Sequence, residues 1–225
     1  MYILAQSGRL ENCQDNIYQA SAPEKEAEYQ AAGYQRHERS YKIRCNHKEY
    51  TVICPEYRKD QGGGKPDVVI PVFLVLRRPY PLEVYLYAIS LYSGNPEKGQ
   101  RWAAQETRKY FGLSSFSHTT LGRALKAFVA KIAECEQEPA KDKSALVNES
   151  LKAASGQQNG VMCELQSSTS AKPAVFPCVQ STKWLREQAA AFLRPISAWS
   201  DRRRAIGQCH TLARQHFVQY QRFLL

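Results

Sequence analysis

The stretch that most constrains this chain runs from Gln100 to Ile132, QRWAAQETRKYFGLSSFSHTTLGRALKAFVAKI. A helix fits Gln100 to Phe111 and stops at Gly112, the residue type that most readily ends a helix in the left-handed conformation. Leu113 to Phe116 is a short loop. Ser117 then fits an N-cap, because its hydroxyl oxygen can accept from N–H groups of the following turn. From His118 to about Ile132 the residues Leu121, Leu125, Phe128 and Ile132 are spaced four, three and four, which makes one apolar helical face.

The segments on either side differ in character. Residues 21–33 are rich in Ala, Glu and Gln and fit a short helix. Tyr41, Ile43 and Cys45 alternate with Lys42 and Arg44, and Tyr50 to Cys54 is again β-favouring, so a two-stranded ribbon turning near Asn46–Lys48 is expected. Val68 to Leu76 is a third strand candidate interrupted by Pro71. Pro81 suits the first turn of a helix. Leu82, Tyr85, Leu86, Ile89 and Tyr92 follow near one face, and Gly94, Asn95 and Pro96 end it.

Glu136 to Ala174 collects Glu, Lys, Ser, Gln, Asn and Gly and reads as a linker, with room for a short helix at Ser144 to Ala154. Beyond it, Leu185, Ala189, Phe192, Ile196 and Trp199 keep a four–three–four–three spacing. Ser200 and Asp201 are candidate caps for a last helix through about Phe223. Its expected stripe is Ile206, Cys209, Ala213, Phe217, Tyr220 and Leu224, and the two helices are expected to pair as an antiparallel hairpin. The expected fold is thus α+β, mostly α. A small β-containing module at 1–78 precedes a helix-turn-helix at 79–135, a polar linker at 136–175 and a basic helical segment at 176–225.

Charge narrows the function. The chain of 225 residues carries 31 basic and 21 acidic side chains, net +10. The excess is local: residues 61–135 hold ten basic against five acidic groups and residues 176–225 eight against two, while 1–60 are balanced. Two basic helical blocks suit a polyanion, and nucleic acid is the usual one. The longest apolar stretch, Val68 to Leu76, is about half of what a membrane span requires. With no basic N-terminal region leading into an apolar run, a cytoplasmic location is expected, at the nucleoid when bound to DNA.

A helix, a short turn and a capped second helix with cations on its polar side describe a helix-turn-helix. His118, Thr119, Thr120 and Arg123 fall in the first two turns of the second helix and outside its apolar face, where base edges are read. Arg123 suits the bidentate contact that guanine offers. Lys126, Arg101, Arg108 and Lys109 are placed for phosphates. Arg202, Arg203 and Arg204 form the densest charge run. They stand at a helix start, where the dipole disfavours cations, which hints at a phosphate or an acidic partner.

The runs RRPYPLEVYLYAI and RWAAQETRKYFGLSSFSHTTLGRALKAF resemble a family of uncharacterised bacterial proteins of unknown-function domain type, often encoded with transposons. The resemblance extends from about Tyr41 to Phe128 and, more weakly, over FPCVQSTKWLREQAAAFL. It implies a small β or zinc-ribbon-like module before a helix-turn-helix and brings no established reaction. The paired C-x-x-C knuckles of ribbon-bearing relatives are missing here.

Cys13, His37, Cys45, His47 and Cys54 lie within 42 residues, and a ribbon is expected to bring Cys45 near Cys54. Only Cys45-x-His47 approaches a ligand pair, and its spacing is too short. No metal and no cofactor are therefore expected. Seven widely spaced cysteines do not describe a disulfide framework. The sequence lacks a phosphate-binding loop, GxGxxG, GxSxG and HExxH, and no strand-borne carboxylate stands out for two-metal chemistry, so catalysis is not expected. The expected function is binding of double-stranded DNA, as a transcriptional regulator or a transposon-associated accessory, with a homodimer or a transposase as partner. The alternatives are a scaffold protein acting through the C-terminal hairpin and, with less support, a transposase or nuclease component.

Overall fold

A computed structural model of the chain describes residues 2–4, 9–59, 65–137, 181–196, 199–220 and 223–225. The expected linker, save its first two residues, and the helix at Ser144 to Ala154 lie outside the described residues. The protein is mixed α+β, as the sequence leads one to expect.

The sheet is built around one long hairpin. β4 (Tyr34–Cys45) and β5 (Lys48–Lys59) pair antiparallel along their whole length, from Cys45 opposite Lys48 to Tyr34 opposite Lys59. The two-residue turn is Asn46–His47, with φ of 50° and 58°. Positive φ at both positions matches the right-handed twist of the flanking strands, and Asn tolerates it better than most residues. The other edge of β5 is shared. β3 (Ile17–Ser21) runs parallel to it, with Ile17 opposite Thr51, and β6 (Asp67–Ile70) runs antiparallel, with Glu56 opposite Val68. β2 (Arg9–Gln14) extends the sheet beyond β3, and β1 (Tyr2–Leu4) pairs parallel with β6. The expected ribbon is therefore the centre of a six-stranded sheet. Its expected third strand stops at Ile70, because Pro71 has no N–H for a ladder.

α1 (Pro23–Ala31) lies against one face of the sheet, where the Tyr29 ring stacks on Tyr57 with centroids 4.4 Å apart and its hydroxyl donates to Asp67 Oδ2 at 3.0 Å. At the far end of the ribbon Glu56 is only 1% exposed. A buried carboxylate is costly unless paired. Arg39 Nε and Arg58 Nε each approach it at 2.6 Å.

The helices that follow the sheet form one core around α2 (Leu82–Gly94). The sequence suggests one apolar face for it, but Val84, Tyr87 and Ala88 are buried as well. Two further helices from the end of the chain cover the side that α3 (Gln100–Phe111) and α4 (His118–Gln137) leave open. α5 (Thr182–Leu193) crosses α2, and Arg186 lies 3.7 Å above the Tyr92 ring and donates to the Pro96 carbonyl at 2.6 Å. Pro195 offers no N–H to prolong α5, so Ile196 and Trp199 are buried or half-buried beyond its end. α6 (Arg202–Tyr220) buries Ala205, Cys209, Ala213 and His216, a stripe that only partly coincides with the expected one. Ile206, Phe217 and Tyr220 are half-buried, and Leu224 is buried after the helix has ended. α5 and α6 both pack on α2, and the Phe192 and His216 rings meet at 6.1 Å.

Candidate functional site

The turn between α3 and α4 is held rigidly. Gly112 adopts φ 56°, and the Gly112 and Leu113 N–H groups both return to the Arg108 carbonyl. Leu113 and Phe116 are buried in the helical core, and the Tyr80 hydroxyl lies 3.0 Å from Ser115 Oγ. Ser117 Oγ accepts from the Thr120 N–H at 3.1 Å, the cap that the sequence suggests.

The tip of the long hairpin docks on this turn. The Asn46 N–H donates to the Phe111 carbonyl at 2.9 Å and the His47 N–H to the Gly112 carbonyl at 2.6 Å. Carbonyls at a helix end lack partners within the helix. The positive φ values at 46 and 47 aim two successive N–H groups at them. A Cβ on Gly112 would stand 3.0 Å from the His47 ring and 3.4 Å from Asn46 Cα, so only glycine permits this approach. Where α4 crosses α3, a Cβ on Gly122 would stand 3.1 Å from the Gln100 side-chain amide, a flexible group that can shift aside.

Docking of the tip leaves an open groove of about 800 Å³ between the hairpin, α3 and the start of α4. His47, Arg101, Arg108, Lys109, His118 and Thr120 line it, together with the exposed Ser114, Ser115 and Ser117. No carboxylate is among the lining residues. Lys109 pairs at its rim with Glu106 at 2.8 Å, whereas Arg101 and Arg108 have no ion pair among the described residues. The groove therefore offers two unneutralised guanidinium groups, hydroxyl donors and the positive end of α4 to an anion.

Of the residues singled out in the sequence, Arg101, Arg108, Lys109, His118 and Thr120 meet in this groove. Thr119, Arg123 and Lys126 lie outside it. They are exposed and, with Ala130, form a four–three–four stripe opposite the buried Leu121, Leu125 and Phe128. Arg202 is placed elsewhere, its guanidinium 4.9 Å from the Phe111 ring centroid and 5.4 Å from that of Tyr110. It acts as a packing cation. Arg203 and Arg204 are exposed at the start of α6, where Asp201 Oδ1 accepts from the Arg204 N–H at 3.0 Å and offsets the local dipole. His47 escapes the sequence reading as an anion contact, because its place in the groove depends on a tertiary docking. The one available signal is the Asn-His turn of the ribbon.

The cysteines do not converge as the ribbon argument expects. Cys54 stands opposite Arg39, six positions from Cys45 along β4, or roughly 20 Å at strand spacing. Among the described residues no three His, Cys, Asp or Glu side chains are grouped to hold a metal. Cys45 and Cys209 lie near Glu83, where α6 passes the start of α2. Burial first, and then the Glu83 carboxylate, push both thiols up, Cys209 to about 12. Burial alone lifts Cys54 to about 12. These thiols stay protonated near neutrality and offer no nucleophilic thiolate.

Comparison with known proteins finds no matching family model, no similar curated protein and no similar solved structure. Among the described residues no helix is long and apolar enough to cross a membrane.

Proposed function

We propose that the chain binds double-stranded DNA, with α3, the 112–117 turn and α4 acting as a helix-turn-helix. The observation that carries this reading is the groove. Three elements bring His47, Arg101, Arg108, Lys109 and His118 to one groove, whose lining contains no carboxylate. In this reading the groove takes the phosphate backbone beside the major groove. On the exposed stripe of α4, Thr119 and Arg123 face the base edges, and Lys126, further along the helix, takes a phosphate. Phosphate contacts set register and affinity, and base contacts set sequence preference. The association with transposons that the family resemblance implies, as a regulator or an accessory to a transposase, belongs to the same proposal.

The two kinds of residue predict two kinds of defect. Arg108→Ala, and likewise Arg101→Ala, weakens binding to every duplex alike. Each flattens the plot of log affinity against log salt by about 0.9 for every phosphate that is no longer neutralised. Arg123→Ala keeps most of the affinity but loses discrimination at one base pair, by about 1–3 kcal/mol. Titration of labelled duplexes at several salt concentrations reads both. If Arg108→Ala leaves the salt slope as it was, the groove is not the phosphate site.

A further inference from the structure

The basic surface does not end at the groove. On the other side of the His47 ring, which sits over Gly112, lies a second depression of about 170 Å³ lined by Arg44, Cys45, His47, Lys48, Glu49 and Gly112, together with Leu113 and Ser114. It shares His47, Leu113 and Ser114 with the first. The one carboxylate there, Glu49, is already engaged by Lys42 at 3.0 Å and Arg44 at 3.2 Å, and ionic partners hold it below the ordinary carboxylate range. Lys48 is exposed and has no ion pair among the described residues. Positive charge thus continues from α3 and α4 across the hairpin tip, with His47 at the crossing.

We propose that the tip of the β4–β5 hairpin is a second phosphate-binding station, at which His47 and Lys48 contact the same DNA strand beyond the phosphates held by Arg101, Arg108 and Lys109. The inference rests on the DNA-binding reading and extends it to a sheet element. Its physical basis is the lock between the two parts. The Asn46 and His47 backbone N–H groups are bound to the end of α3, so the tip is carried with the turn before α4 and need not be ordered when DNA arrives. Preorganised contacts cost less to form than mobile ones. The phosphodiester backbone is the fitting ligand because the two depressions are adjoining and open, and duplex DNA presents one negative charge per about 1.7 Å of its axis.

The experiment compares the full chain with Lys48→Ala and His47→Asn. Lys48 is exposed, and asparagine tolerates the positive φ at 47 while keeping its N–H. Lys183→Ala, exposed at the start of α5 away from both depressions, is the control. Each protein is titrated with one duplex at several salt concentrations. Phosphate-ethylation interference then maps which phosphates matter. The expected result is a three- to tenfold weaker affinity for Lys48→Ala and a salt slope lower by about 0.9. Interference should vanish at phosphates neighbouring those that Arg108→Ala silences. His47→Asn should weaken binding as well. Lys183→Ala should match the parent protein. Parent-like affinity, slope and interference pattern in both tip variants, with the parent protein binding DNA, overturn the station alone. No binding by the parent protein at any salt overturns the DNA reading on which it stands.

Discussion

Gly112 does two jobs at one position: it takes the left-handed conformation that ends α3, and it leaves room for the His47 ring. Alanine there meets both costs, the αL strain of about 1–2 kcal/mol and a displacement of the hairpin tip. Gly33 also has positive φ, 73°, but open space around its Cβ position. Gly112→Ala should therefore lower the urea midpoint clearly more than Gly33→Ala, and equal losses would mean that the tip is not seated as described. The buried thiols and phenols make a second prediction. Cys54 and Cys209 are lifted to about 12 from an ordinary value of 9.0, and burial raises Tyr29 and Tyr85 as well. Above pH 9 the unfolded chain releases these protons and the folded one retains them, so their contribution is intact below that pH and is lost as pH rises toward 12. The unfolding midpoint should fall between pH 8 and pH 10.5. An unchanged midpoint would show that these groups are open to solvent.

At the scale of elements, α3 and α4 are the parts most legible in the sequence, because each of their boundaries has a local chemical cause. Gly112 stops one helix and Ser117 starts the next, and the Leu121–Leu125–Phe128–Ile132 stripe faces the core as its spacing dictates. The long hairpin is legible for a similar reason, as alternating residues flank a two-residue turn. β1, β2 and β3 are not. β1 and β3 pair with β6 and β5, dozens of residues away, β2 depends on β3, and IYQAS carries no alternation strong enough to announce a strand without its partner. α5 and α6 are legible as helices, but their packing on α2 is not, because the pattern of α2 gives one face and the structure buries it on several sides. At the site, the α3 and α4 cations follow from helical spacing, whereas the part played by His47 and the stacking of Arg202 on Phe111 come from contacts between elements remote in sequence.

Across the whole molecule, α2 to α6 share one core, and the sheet is tied to it by the hairpin tip on α3, by the Arg44 N–H, which donates to the Pro79 carbonyl at 2.7 Å, and by Phe223, which packs against both. The basic surface is therefore a property of the assembled fold: α3 and α4 supply most of the cations, the sheet supplies His47 and Lys48, and the C-terminal helices support α2 from behind. Phe128 is fully buried in the shared core and meets Phe192 of α5 edge-on at 5.4 Å. Phe128→Ala should cost about 3–5 kcal/mol in a denaturant titration, and a loss below about 1 kcal/mol would contradict a core joining α4 to α5. Recognition of DNA by this fold is tested by selection from a pool of random duplexes, with sequencing of the bound fraction, at about 50 mM and about 200 mM salt. A defined motif should be recovered, with affinity falling steeply between the two salts as counterion release requires. Absence of binding even at the lower salt would contradict DNA recognition.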